Sequence, residues 1–330
     1  VVGGATAAGG AGGGGGDTGT QPSTDCGSQT HNTSHQLVDI VLVLDRSGSM
    51  LFNISENCFC NDADKKAVGT TDAVCKDPAK CSTRWAAVST GIESAVSATP
   101  FLQWGLKFFS SPNQVDCAVT KEMEVPIPNG TASTIRDKIN NTPPKGYTPT
   151  AAGISAAAAY LKGLTDGNPK VILLATDGVP NCAENERDLN TSDIPGTLKA
   201  IDDAFKQDIK TYVLGIGPST GNLDDFAKAG HTDKHFPATS PEALKDALNA
   251  IGTAAISCSF SLTDKPTDAT NAAVYVNKEL VQKDDPDGWS YGPDGTTIEL
   301  TGATCEKVKS ERETAVQVLY GCKVPPRRID

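Results

Sequence analysis

The stretch Leu37-Val38-Asp39-Ile40-Val41-Leu42-Val43-Leu44-Asp45-Arg46-Ser47-Gly48-Ser49 decides the fold. Leu37, Val38, Ile40, Val41, Leu42, Val43 and Leu44 form a near-continuous apolar run. Such a run reads as a parallel strand buried on both faces. Open α/β sheets place their ligands at the carboxyl ends of strands, and this end delivers a carboxylate and two hydroxyls at alternate positions: Asp45, Ser47 and Ser49. All three are hard oxygen groups of the kind that hold Mg²⁺. They point to a metal-dependent binding site rather than a nucleotide site or a hydrolase.

The segments that follow alternate in character. Trp85, Val88, Ile92 and Val96 lie on one helical face, and Pro100 stops that helix. Gln103 to Phe109 reads as a strand. Thr148-Pro149 is expected to open a helix, with Thr as N-cap and Pro at the first helical position. Ile154, Ala158, Leu161 and Leu164 then share one side. Lys170 to Thr176 holds Val171-Ile172-Leu173-Leu174, a second doubly buried strand, and Ile209 to Ile216 is a further one. Ser240-Pro241 starts a last helix carrying Leu244, Ala247, Leu248 and Ile251. Strands alternating with helices imply an α/β fold with a parallel sheet and right-handed crossovers.

Two further segments bring oxygen groups to this sheet. Gly146-Tyr147-Thr148-Pro149-Thr150 sets a hydroxyl just before a helix, and Thr176-Asp177-Gly178-Val179-Pro180 sets a carboxylate just after a buried strand. Singly, each has a plainer role: turn serines, an N-cap threonine, a turn-starting aspartate. Together, Asp45-x-Ser47-x-Ser49, Thr148 and Asp177 resemble the metal-ion-dependent adhesion site of von Willebrand factor A (VWA) domains. The resemblance covers about Gln36 to Ile256, through the Val213-Leu214-Gly215-Ile216-Gly217 strand and the Leu223 to Ala227 helix. It implies a VWA-type, Rossmann-like domain over residues 37–256, its mostly parallel central sheet flanked by helices. It also implies Mg²⁺, or Mn²⁺ or Ca²⁺, bound directly by Ser47 and Ser49. Thr148 would join them in the ligand-competent state, and Asp45 and Asp177 would act largely through waters. Such an ion stays electrophilic, so an Asp or Glu carboxylate of a partner can complete its shell.

The expectation is therefore a non-catalytic binding or adhesion protein that engages a protein or acidic ligand. A structural surface protein with a purely stabilising metal is one alternative. A serine hydrolase is another, but it lacks a base. His31 and His35 precede the first strand, His231 and His235 fall near the last, and no G-x-S-x-G elbow occurs. A Mg²⁺ phosphotransferase would want a second Asp where Ser47 stands.

The outlying segments set the context. Residues 1–36 begin with Gly, Ala, Ser and Thr, including the run Gly12 to Gly16, and read as a flexible linker. No Gly-Lys-Ser/Thr follows that run, so it is not a phosphate loop. The chain begins with Val1, which fits removal of a signal segment, and a lipid anchor upstream is expected. Residues 257–330 hold short apolar runs between Gly, Pro and Asp clusters and read as a small antiparallel β module, with two of its three cysteines bridged. The net charge of −11 argues against a nucleic-acid partner, and no apolar stretch is long enough to span a bilayer.

Ten cysteines, scattered and even in number, suggest disulfides and an extracellular or cell-surface location. Cys58, Cys60, Cys75 and Cys81 staple an insertion over residues 51–81 that interrupts the path from the metal loop to the next helix. It is read as a rim shaping partner choice. A zinc site there is the rival, but the C-x-C and C-x₅-C spacings do not match zinc modules. Cys26 with Cys258, Cys117 with Cys182 and Cys305 with Cys322 would complete the set. Asn32, Asn53, Asn129, Asn140 and Asn190 each begin an N-x-Ser/Thr sequon, read as chance occurrences.

Overall fold

The computed structural model describes residues 28–33, 37–99, 102–112, 117–183, 192–219, 221–255, 258–262, 272–310 and 314–320. In chain order the first elements are β1 (Ser28–Thr33), β2 (Val38–Asp45), α1 (Asp62–Val68), α2 (Arg84–Ala98), β3 (Leu102–Phe109) and α3 (Ala132–Asn140). Then come α4 (Thr150–Lys162), β4 (Lys170–Thr176), α5 (Ile194–Phe205), β5 (Ile209–Ile216), α6 (Leu223–Ala229), β6 (Phe236–Ala238) and α7 (Pro241–Ala255). Five strands form the central sheet in the order β3-β2-β4-β5-β6, every neighbouring pair parallel.

β2 shows why the sheet is buried on both sides. Its alternate residues Ile40, Leu42 and Leu44 pack with Val88 and Ile92 of α2, Ile139 of α3 and Leu248 of α7. Val41 and Val43 point the other way, into a cluster with Ile154 and Leu161 of α4, Ile201 of α5 and Phe226 of α6. The period of two in a strand splits one apolar run between two cores. Each fully buried Leu or Ile contributes about 1.5–3 kcal/mol of transfer free energy.

The strand order also fixes the site. From β2 the chain moves outward to β3, then returns across β2 to β4. The connections leaving β2 and β4 therefore run to opposite faces, opening a crevice at their carboxyl ends. Leu44 of β2 is level with Ala175 of β4, so Asp45 and the start of the Thr176-Asp177 turn leave the sheet side by side.

The second unit comprises β7 (Ser259–Ser261), β8 (Ala272–Val276), β9 (Glu279–Val281), β10 (Trp289–Tyr291), β11 (Thr297–Leu300), α8 (Gly302–Ser310) and β12 (Thr314–Tyr320). Its sheets, β1-β12-β8-β9 and β10-β11-β7, are antiparallel. Phe260, Val274, Trp289, Ile298, Val308 and Val316 share its core.

The structure corrects several expectations. Residues 1–36 are not linker throughout, since Ser28–Thr33 pairs along its whole length with β12. The polar sequence of β1 carries no strand pattern, and its partner lies at the other end of the chain. α8 places a helix within the unit read as all-β. Cys258 pairs with Cys305, not with Cys26, and Cys305 is therefore not joined to Cys322. Cys258 leads into β7, which pairs with β11, and α8 follows β11 directly and carries Cys305. Cys26 and Cys322 lie outside the described residues. Cys117–Cys182 forms as expected, and the insertion holds Cys58–Cys75 and Cys60–Cys81.

Candidate metal centre

The five oxygen-bearing residues gather at the crevice. Asp45 ends β2 and is fully buried. Its Oδ1 accepts from the Ser47 backbone N–H at 2.8 Å, and its Oδ2 accepts from the Thr176 hydroxyl at 2.7 Å. Ser47 precedes a single 3-10 turn, Gly48–Leu51, which brings Ser49 back over it, and the two hydroxyls lie 2.9 Å apart. Ser49 donates to Asp177 Oδ1 at 2.9 Å. One connected chain of polar groups thus links the ends of β2 and β4.

Thr148 enters from the loop before α4. Asn181 holds it at both backbone positions, accepting from Thr148 N–H at 2.8 Å and donating its own N–H to Thr148 O at 3.0 Å. Gly48 N–H reaches Gly146 O at 3.4 Å and ties this loop to the serine turn. Thr148 is not the N-cap that the sequence suggests. Pro149 holds that position without a side-chain cap, and the helix starts at Thr150. The Thr148 hydroxyl belongs to the cleft it lines together with Ser47 and Ser49.

That cleft encloses roughly 370 Å³. Besides Ser47, Ser49 and Thr148, Val68, Lys145, Tyr147 and Asn181 are among its walls. Val68 comes from α1, so the insertion does form one rim. Gly48 allows this close docking, because a Cβ there would lie 2.7 Å from Val68 Cγ1.

The electrostatics are those of two carboxylates forced together. Burial, and then the charge of Asp177, push Asp45 up to about 7 against the pull of Thr176 and Ser47. Burial also raises Asp177, although Arg84 and Ser49 favour its charged form. A cation relieves both penalties, and the donors are hydroxyl and carboxylate oxygens, so the residues fit a hard divalent ion.

Arg84 is the functional residue that sequence reading misses. It opens α2 and forms a buried ion pair with Asp177 at 2.6 Å. No motif marks it. Only the Thr83 cap before it, accepting from Ala86 N–H at 3.1 Å, signals a helix start at that point. Thr176 and Asn181, which brace Asp45 and Thr148, are given no role in the sequence reading.

The zinc rival in the insertion loses support. Glu56, Cys58 and Cys75 lie close enough to share an ion, but the two sulfurs are bonded to each other and offer no thiolate. His231 stacks on Phe205 with ring centroids 3.3 Å apart, and His235 Nδ1 lies 2.6 Å from Asp224 Oδ1. Neither His231 nor His235 is hydrogen-bonded to Ser47 or Ser49, whose hydroxyls are engaged with each other and with Asp177.

No described protein family matches the chain, and no curated protein matches it. Solved structures with partial similarity are found. The pilus adhesin SpaC from Lactobacillus rhamnosus GG matches at 19% identity and a TM-score of 0.47, over 88% of this chain and 40% of that one. The PilB minor pilin from Streptococcus sanguinis matches at 19% identity and a TM-score of 0.45, over 67% of this chain and 62% of that one. A von Willebrand factor type A structure from Catenulispora acidiphila matches at 13% identity and a TM-score of 0.45, over 86% of this chain and 57% of that one. The match spans less than two thirds of each of these structures. Among the described residues no helix is long and apolar enough to cross a membrane.

Proposed function

We propose that this protein is an extracellular, divalent-cation-dependent binding protein that engages a protein or acidic ligand and catalyses no reaction. The observation that carries the reading is the hydrogen-bonded convergence of Asp45, Ser47, Ser49 and Asp177 at the carboxyl ends of two adjacent parallel strands. Both oxygens of each carboxylate are already engaged, Asp45 by Ser47 N–H and Thr176, Asp177 by Ser49 and Arg84. The carboxylates therefore work from one layer back, orienting the hydroxyls of Ser47 and Ser49. Thr148, steadied by Asn181, brings the third hydroxyl. When bound, Mg²⁺ (or Mn²⁺ or Ca²⁺) would supply an electrophilic centre for a ligand carboxylate. Among the described residues the cleft walls carry Lys145 and no carboxylate, although the whole chain is acidic, which favours an anionic ligand. The disulfides support an oxidising compartment.

Calorimetry with Mg²⁺ and Mn²⁺ on wild type and Asp45→Ala tests the site. Binding by wild type and its loss in Asp45→Ala is the expected result. Equal affinity in the two overturns the assignment. A metal that raises thermal stability but leaves capture of acidic surface proteins unchanged on EDTA treatment would instead make the ion a structural one.

A further inference from the structure

The carboxylate pair has a cation of the chain's own beside it. Arg84 is 1% exposed, with Nη1 2.6 Å from Asp177 Oδ2 and 3.4 Å from Ser49 O. Its Nη2 donates to Asn57 Oδ1 at 2.5 Å, and Asn57 in turn donates to Ser219 Oγ at 3.0 Å. The Phe52 ring sits 5.2 Å from the guanidinium carbon. Gly217, at the end of β5 with φ +88°, clears the opposite side, since a Cβ there would lie 2.6 Å from Arg84 Nε. Nε itself is buried and has no hydrogen-bond partner among the described residues. The fork of donors is thus incompletely used, while the charge is placed directly against Asp177.

Asp45 and Asp177, both ionised, carry two negative charges, and Arg84 leaves one uncompensated. A divalent ion then brings the buried cluster to net positive, which an anion from outside would neutralise. Without Arg84 the same ion would make the cluster neutral, with no demand for a further anion. We infer that Arg84 is a built-in counter-charge of the metal centre that weakens the hold on the ion and strengthens the demand for a ligand carboxylate. The inference rests on the metal reading above. It also gives the insertion a second role. Phe52 and Asn57 both come from it, and Asn57 adjoins the Cys58–Cys75 bridge, so the stapled loop holds the guanidinium in place.

The test is calorimetric titration of Mn²⁺ into wild type, Arg84→Gln, Arg84→Lys and Asn57→Ala, each checked for a cooperative melt. Removing one adjacent positive charge is expected to tighten Mn²⁺ roughly tenfold or more in Arg84→Gln. Arg84→Lys, which keeps the charge, should stay within about threefold of wild type. Acetate, read by water-proton relaxation of the Mn²⁺-loaded protein, should displace bound water more readily in wild type than in Arg84→Gln. A purely structural arginine would lower the melting temperature and leave Mn²⁺ affinity unchanged, and that result overturns the inference. If Arg84→Gln does not melt cooperatively, the exposed Asn57→Ala decides: tighter Mn²⁺ supports the inference, unchanged affinity ends it. Absence of Mn²⁺ binding in wild type removes the metal reading and this inference with it.

Discussion

Asp45 and Asp177 show how the candidate site conflicts with stability at the level of single residues. Neither would be chosen for a buried strand end, because burial opposes the charge of both and the charge of Asp177 opposes that of Asp45. Their raised values mean that the folded, metal-free protein binds more protons than the unfolded chain. The stability Asp45 contributes in this way is complete below the ordinary carboxylate range and is lost as pH rises through about 7, and Asp177 acts in the same direction. In EDTA the melting temperature should therefore be lower at about pH 7.5 than at about pH 5, and Asp45→Asn should flatten that slope. Melting curves across this range check it, and an unchanged slope in Asp45→Asn would contradict the assignment. The D-x-S-x-S pattern was legible in the sequence because its members lie within five residues. Arg84 was not, because its partner Asp177 is 93 positions away and an arginine at a helix start is unremarkable.

At the level of elements, the loop after β4 is held from outside the sheet. Cys182 bonds to Cys117, closing a separation of 65 residues, and the neighbouring Asn181 fixes Thr148. Replacing both cysteines by serine should cost about 2–5 kcal/mol in urea unfolding. It should also weaken Mn²⁺ binding, since Asn181 loses its anchor. Replacing Cys60 and Cys81 opens a bridge that does not touch this loop, and its effect on Mn²⁺ should be smaller. Equal effects on affinity from the two pairs would show that the Asn181 contact does not matter. The strands β2, β4 and β5 were readable in advance because each is an apolar run of strand length. α3 and β6 were not, since a nine-residue helix and a three-residue edge strand carry too little pattern.

At the level of the whole molecule, the first described strand belongs to the last sheet. β1 pairs antiparallel with β12, from Ser28 opposite Leu319 to Thr33 opposite Thr314. The α/β unit is thus inserted between the two strands of a pair, and the C-terminal unit depends on residues before β2. A chain starting at Leu37 should leave β12 with an unpaired edge. Such an edge invites pairing between molecules. Gel filtration and thermal melting of that shortened protein are expected to show association and an earlier transition than full length. Unchanged behaviour on both counts would mean that β12 does not need its partner.

Sequence alone determined the parallel α/β core and the five oxygen-bearing positions of the candidate centre, because both are written in short-range pattern: apolar runs, and polar residues at fixed offsets from their ends. Tertiary structure alone decided the strand order that opens the crevice, the pairing of Cys258 with Cys305, the return of β1 to β12 and the guanidinium against Asp177. Each of these joins residues far apart in the chain, and the choice among distant partners is made by packing and burial of the whole fold, which no local pattern encodes.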